Sequence, residues 1–175
     1  MGKKTNIVMI GMPASGKSTI GVLLAKRLGY SFVDVDLVIQ EKTGKLLKEI
    51  IEERGQDGFL EVEGRINAEL SAERSIIAPG GSVIYEENAM AHFKEIGTVV
   101  YLKLTYEDLE ARLGNLVDRG VVLRDGMTLR DLYNERVPYY ERYADVTVDE
   151  TGKDFGAVVD ELRAFFEEKE RDGAV

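Results

Sequence analysis

Cysteine is absent and histidine occurs once, at His92. The first absence excludes a disulfide framework, a thiolate metal site and a cysteine nucleophile. A single histidine excludes a His-rich metal site. Proline occurs only three times, which leaves no obvious linker, so 1–175 is read as one domain. Basic residues are the minority: 23 Lys and Arg against 32 Asp and Glu, a formal net charge of −9. A general nucleic-acid binder needs basic surface to displace counterions, so that class is excluded, though a local basic pocket is not. Long apolar runs are also missing; none approaches the ~18 residues that span a bilayer. Lys3 and Lys4 before Ile7–Ile10 faintly imitate a signal peptide, but the apolar stretch is too short and runs into a Gly-rich motif. The expected compartment is the cytoplasm, with no membrane partner.

What is present fits a folded domain. At 44% hydrophobic and 31% charged, the 175 residues are neither disordered nor membrane-spanning. Short apolar runs alternate with longer helical patterns, the signature of an α/β fold with a parallel sheet. The strand candidates are Asn6–Ile10, Ser31–Val35, Ser75–Ala78, Thr98–Leu102 and Asp145–Val148. A helix after Gly16 carries Ile20, Leu23, Leu24 and Leu28 on one stripe, and Gly29 can end it. A final helix carries Phe155, Val158, Val159, Leu162, Phe165 and Phe166 as core. Thr105–Asp108 reads as a capped helix start. The mostly helical run Leu46–Ser71 lies between two strands and reads as a substrate-facing insertion, spanning about 36–74. The Gly- and Arg-containing stretch of about 116–127 breaks the pattern and is the expected lid.

Gly11-Met12-Pro13-Ala14-Ser15-Gly16-Lys17-Ser18 fits the phosphate-loop pattern G-x-x-x-x-G-K-[ST] in full, with a strand before it and a helix after it. The glycines let backbone N–H groups curl around phosphate oxygens at the positive end of a helix. Lys17 supplies a point charge for the phosphates, and Ser18 a hydroxyl for Mg²⁺. Gly11, Ala14, Ser15, Gly16, Lys17, Ser18 and Thr19 are the expected nucleotide-binding residues. The guanine-reading N-K-x-D motif is absent, which favours ATP. Asp34 and Asp36 stand at the end of the second strand, where ligands gather in open α/β sheets. Read as i and i+2 on one strand face, both carboxylates address one site, suited to a metal and to an acceptor hydroxyl.

Together these features resemble the shikimate kinase family of P-loop small-molecule kinases. The resemblance runs from about Asn6 to Phe166. It also includes Gly55-x-x-x-Phe59-x-x-x-Glu63, the Gly80-Gly81 turn, and Arg136-x-Pro138-x-Tyr140 before Ala144-Asp145. It implies a three-layer fold with a five-stranded parallel sheet in the order 2-3-1-4-5, and a lid closing over ATP. It also implies Lys17 and Arg119 at the phosphates, Arg112 against adenine, and Ser18 and Asp34 for the metal. Asp36 would bind acceptor hydroxyls and act as base, Gly80 and Gly81 would approach the acceptor with their backbone, and Arg136 would grip its carboxylate.

Three departures stand out. The family's Gly-Gly-Gly turn is Pro79-Gly80-Gly81 here, followed by Ser82. Its lid Arg-Pro-Leu-Leu is Arg119-Gly120-Val121-Val122. Its Phe-Arg-x-x-Glu is Phe59-Leu60-Glu61-Val62-Glu63, so Leu60 occupies the position of a carboxylate-binding arginine. Glu63 falls on the apolar stripe Phe59, Glu63, Ile66, Leu70 and needs a partner or a raised pKa there; alternatively it lies hydrated at the stripe edge. His92 and the Tyr139, Tyr140 and Tyr143 cluster read as packing. Arg124 is open between a phosphate contact and an exposed loop charge.

The expectation is a monomeric Mg-ATP-dependent kinase for the hydroxyl of a small carboxylate-bearing metabolite. Shikimate leads by resemblance, and would be a poor acceptor unless another arginine, such as Arg65, replaces the missing one. Another hydroxy acid or amino acid, such as gluconate or homoserine, is the alternative within the class. A non-catalytic ATP-binding module is the alternative outside it.

Overall fold

The computed structural model describes residues 4–113, 123–124 and 126–171. Its elements run β1 (Asn6–Ile10), α1 (Lys17–Leu28), β2 (Ser31–Asp34), α2 (Val35–Thr43), α3 (Leu47–Ala68), β3 (Ser75–Ala78), a 3₁₀ turn (Val83–Tyr85) and α4 (Glu87–Ile96). They continue with β4 (Gly97–Lys103), α5 (Tyr106–Leu113), α6 (Leu129–Tyr143), β5 (Val146–Asp149) and α7 (Phe155–Arg171). The strands form one parallel sheet in the order β2-β3-β1-β4-β5.

The sheet is buried on both faces, and the period of two sorts its residues. Val8, Ile10, Ile77, Val99 and Tyr101 face a core completed by α2, α3, α4 and α6. Ile7, Met9, Ile76, Val100 and Leu102 face the opposite core, closed by α1 and α7 through Ile20, Leu24, Val158, Leu162 and Phe166. Strands covered on both sides read as continuous apolar runs, which is why β1 and β3 are bounded as the sequence predicts.

Three details differ from expectation. Leu23 is 41% exposed; the buried face of α1 is Ile20, Gly21, Leu24 and Ala25. Gly21 lets Phe32 press on the helix, since a Cβ there would meet the ring at 2.6 Å. Asp145 lies just outside β5, because its carboxylate accepts from the Val99 amide at 2.9 Å and so ends the edge. Asp36 is not on a strand. The chain enters α2 at Val35, and Asp34 caps that helix by accepting from the Asp36 amide at 3.0 Å. The D-x-D spacing therefore joins a cap and a first-turn residue, not two residues of one strand face.

Gly29 ends α1 in the left-handed region at φ 68°. Helix α3 is kinked at Gly55, where φ 69° and ψ −179° are closed to a residue with a Cβ. The kink turns the second half of α3, with Phe59, Leu60 and Glu63, toward the carboxyl end of the sheet.

Candidate active site

The phosphate loop joins β1 to α1. Its backbone visits unusual regions at Gly11 (φ 155°), Ala14 (φ 63°) and Gly16 (φ 85°). Ala14 is one of two non-glycine residues with positive φ among those described, a strain of about 1–3 kcal/mol of the kind that gathers at ligand sites. Gly11 has no room for a Cβ, which would stand 2.9 Å from Leu102 O and from Ser15 Oγ. The Ser15 hydroxyl is buried with no hydrogen-bond partner among the described residues. A buried polar atom left unpaired is costly, and one at a helix N-terminus suits an incoming anion.

Lys17 folds back over the loop and donates to Gly11 O and Met12 O, both at 2.9 Å. Burial and the nearby Arg136 guanidinium lower its pKa to about 8, against the opposing pull of Asp36, Glu150 and Asp34. Ser18 Oγ donates to Asp34 Oδ2 at 3.3 Å, and both Ser18 and Thr19 are exposed. Burial and the Asp34 charge raise the pKa of Asp36, with Lys17 acting the other way. Phosphate loop and acid pair thus form one electrostatic unit.

Beyond them opens a cavity of about 650 Å³. Pro13 of the loop is in its wall, and it gathers Asp36, Leu60, Gly80, Gly81 and Arg136. Helix α3 supplies an apolar side through Leu47, Ile51, Phe59 and Leu60. Gly80 sits against Glu63 and could not carry a side chain there. A Cβ on Gly81 would stand 3.0 Å from Arg136 Nη1, so the guanidinium lies across that backbone. Tyr140, fully buried and stacked on Tyr101 at 5.2 Å, donates to Gly81 O at 2.7 Å and fixes the turn from below.

Glu63 is not hydrated at a stripe edge: it is 1% exposed. Its partner is Ser82, whose hydroxyl donates to Oε2 at 2.6 Å. Burial dominates nonetheless and pushes the carboxyl up to about 7. Arg65 is exposed and does not line the cavity; Arg124 does, together with Tyr85 and Glu135. Tyr85 donates to Glu135 Oε1 at 2.5 Å and accepts from Arg136 Nε at 3.3 Å.

Arg112 lies on the other side of the loop. It pairs with Glu150 at 2.7 Å, stands 5.2 Å from the Phe155 ring centre, and reaches Ala14 O at 3.4 Å. Phe155 is half-buried, with its ring edge 2.8 Å from where a Cβ on Gly16 would stand. It therefore belongs to this cationic shelf as well as to the core stripe. Glu150 and Ser82 have no periodic or motif signal that marks them in advance, and the periodicity of Phe155 marks it only as core. Arg119, and the parts of the expected lid (about 116–127) at 116–122 and 125, lie outside the described residues. His92 is a packing residue, its Nε2 2.7 Å from Leu70 O.

The family model "Shikimate kinase" matches residues 13–167. A shikimate kinase of Chlorobium chlorochromatii is 35% identical over 167 residues, covering 89% of this chain and 87% of that one. A protein of Mus musculus named threonine synthase-like 1 is 37% identical over 145 residues, covering 82% of this chain but 19% of its own length. A solved shikimate kinase of Acinetobacter baumannii, in complex with shikimate, superposes with a TM-score of 0.84 at 30% identity, covering 94% of each chain.

Proposed function

The chain belongs to the shikimate kinase family, and on that premise we propose that it transfers a phosphoryl group from Mg-ATP to a hydroxyl of a small carboxylate-bearing metabolite, shikimate first among them. One observation carries the reading: the cavity lined by Asp36 and Arg136 has the phosphate loop itself, at Pro13, as part of its wall. An acceptor in the cavity stands next to the phosphates that the loop would hold, and phosphoryl transfer is mostly a matter of such positioning.

Lys17 sets its ammonium against the phosphates, exchanging its two carbonyl contacts for phosphate oxygens. Asp36 orients the acceptor hydroxyl and takes its proton as the new O–P bond forms and the β–γ bridge of ATP breaks. Burial makes Asp36 a better base than an ordinary carboxylate. Gly80 and Gly81 present backbone to the acceptor, and Arg136 takes its carboxylate. Arg112 and Phe155 form the shelf for adenine. Segment 36–74 serves as the acceptor-facing wall, and 116–127, with Arg119, as the lid of a cytoplasmic monomer.

Ser18 and Asp34 fit Mg²⁺: a hydroxyl and a carboxylate oxygen 3.3 Å apart are hard donors at an open position, suited to an ion that keeps several waters and shares phosphate oxygens. Bound there, the ion would offset the charge of the phosphates.

Leu60 favours a second reading, in which the acceptor is another small hydroxy acid or amino acid such as gluconate or homoserine. Its apolar side chain stands where the family resemblance calls for a carboxylate-binding arginine. Acceptor-dependent ADP release, measured with shikimate, gluconate and homoserine in parallel, separates the readings. The first expects stimulation by shikimate. Stimulation by another acid alone selects the second, and tight ATP binding with no stimulation by any acceptor leaves a non-catalytic module.

A further inference from the structure

The cavity is not built for an anion by its overall charge. Among the described residues, four carboxylates line it, Asp36, Glu52, Glu63 and Glu135, against three cations, Lys48, Arg124 and Arg136. An acceptor carboxylate needs local cations there, and the Leu60 side chain is not one. Arg136 would hold the group by one guanidinium, which already gives its Nε to Tyr85.

The second guanidinium comes from elsewhere. Arg124 stands 5.9 Å from the centre of the Tyr85 ring, and Arg136 stands 5.5 Å from the same centre. Glu135 links the two. Its Oε1 accepts from Tyr85 and lies 3.7 Å from Arg124 Nη1, while Tyr85 accepts from Arg136. Arg124, Glu135, Tyr85 and Arg136 are thus one chain of contacts that brings both cations to the same ring at the cavity wall. Tyr139 braces that ring edge-on at 5.6 Å. An exposed ion pair by itself carries little energy, and Arg124 is 61% exposed in its side chain. Its place in the cavity wall gives it a further use, because a guanidinium held by one carboxylate through a long contact can turn its remaining N–H groups to another.

We infer that Arg124 is the second carboxylate-binding cation of the acceptor site and so determines its specificity, acting with Arg136 where Leu60 cannot. The inference rests on the proposed phosphorylation of a carboxylate-bearing acceptor. Arg65, the example of a replacement named from the sequence, is exposed and has no part in it.

The test compares shikimate with its methyl ester, in the unaltered protein and in Arg124→Gln and Arg124→Lys. Arg124 is exposed, so these variants should fold as the unaltered protein does, which their Tm checks. Arg124→Gln should raise KM for shikimate about 10- to 100-fold, leave KM for ATP unchanged, and leave kcat/KM for the ester unchanged. Arg124→Lys should recover part of the loss. An equal loss on shikimate and on the ester would show a general role in closing the site and would overturn the inference. So would Arg124→Gln kinetics identical to those of the unaltered protein. If the unaltered protein releases no ADP in response to shikimate, the proposed acceptor itself fails and the inference falls with it. That outcome is distinct from the failures that appear only in the variants.

Discussion

Ser82 Oγ donates to Glu63 Oε2 at 2.6 Å, across the 19 residues between the glycine turn and helix α3. This bond ties the glycine turn to the kinked helix. Leu60, one turn before Glu63, has no donor to offer, and Ser82, directly after Gly80-Gly81, supplies one. A neutral donor satisfies the carboxyl without neutralising its charge, so Glu63 remains above the usual carboxylate range, at about 7.

That shift predicts a pH dependence of stability. The folded state binds the Glu63 proton more tightly than the unfolded chain, whose value is near 4.5. The contribution is therefore fully present below about 4.5 and is lost as pH rises through about 7. The loss is on the order of 3 kcal/mol, from about 1.4 kcal/mol per unit. Glu63→Gln keeps the acceptor oxygen for Ser82 and should flatten this window, raising Tm at pH 8 and changing little at pH 4.5. Ser82→Ala should cost about 1–3 kcal/mol at pH 8 by stranding a buried acceptor. Thermal unfolding across pH 4.5–8 checks both.

Lys17→Ala should leave Tm unchanged or raise it, because the ammonium is a desolvated cation whose burial outweighs its two carbonyl bonds and the pull of the nearby carboxylates. It should lower kcat by at least about 10²–10³-fold, the cost of deleting one preorganised charge at a reacting centre. Parallel calorimetry and steady-state kinetics test the pair of outcomes. Near-normal turnover would remove the phosphate loop from the account.

Leu60→Arg should add little to shikimate turnover in the unaltered protein if Arg124 already supplies the second cation. It should restore most of the activity lost in Arg124→Gln, since Leu60 and Arg124 line the same cavity. A double-mutant cycle on kcat/KM reads the coupling. Strict additivity would separate the two positions.

The legible and illegible parts of this molecule divide by range. The phosphate loop is contiguous and sits between a strand and a helix, so its chemistry is read from eight neighbouring residues. The strands buried on both faces declare themselves as apolar runs, and Gly29 ends α1 where a left-handed cap is needed. D-x-D alternates like a strand and so places Asp36 on one, whereas the cap formed by Asp34 starts a helix at Val35. The partner of Glu63, the pairing of Arg112 with Glu150, and the position of Arg124 beside Tyr85 all join residues from separate elements. No local period encodes such contacts. An arginine in an irregular segment reads the same whether it faces solvent or a cavity.

The central claim is that this cavity delivers a hydroxyl to the phosphate loop with Asp36 as its base. The most direct measurement is mass spectrometry of the acceptor after incubation with Mg-ATP and shikimate, alongside ADP, for the unaltered protein and Asp36→Asn. The account predicts monophosphorylated shikimate equimolar with ADP, and a rate lowered about 10²–10⁴-fold in Asp36→Asn with ATP binding intact. ADP formed without a phosphorylated acceptor, or equal rates from the two proteins, would contradict it.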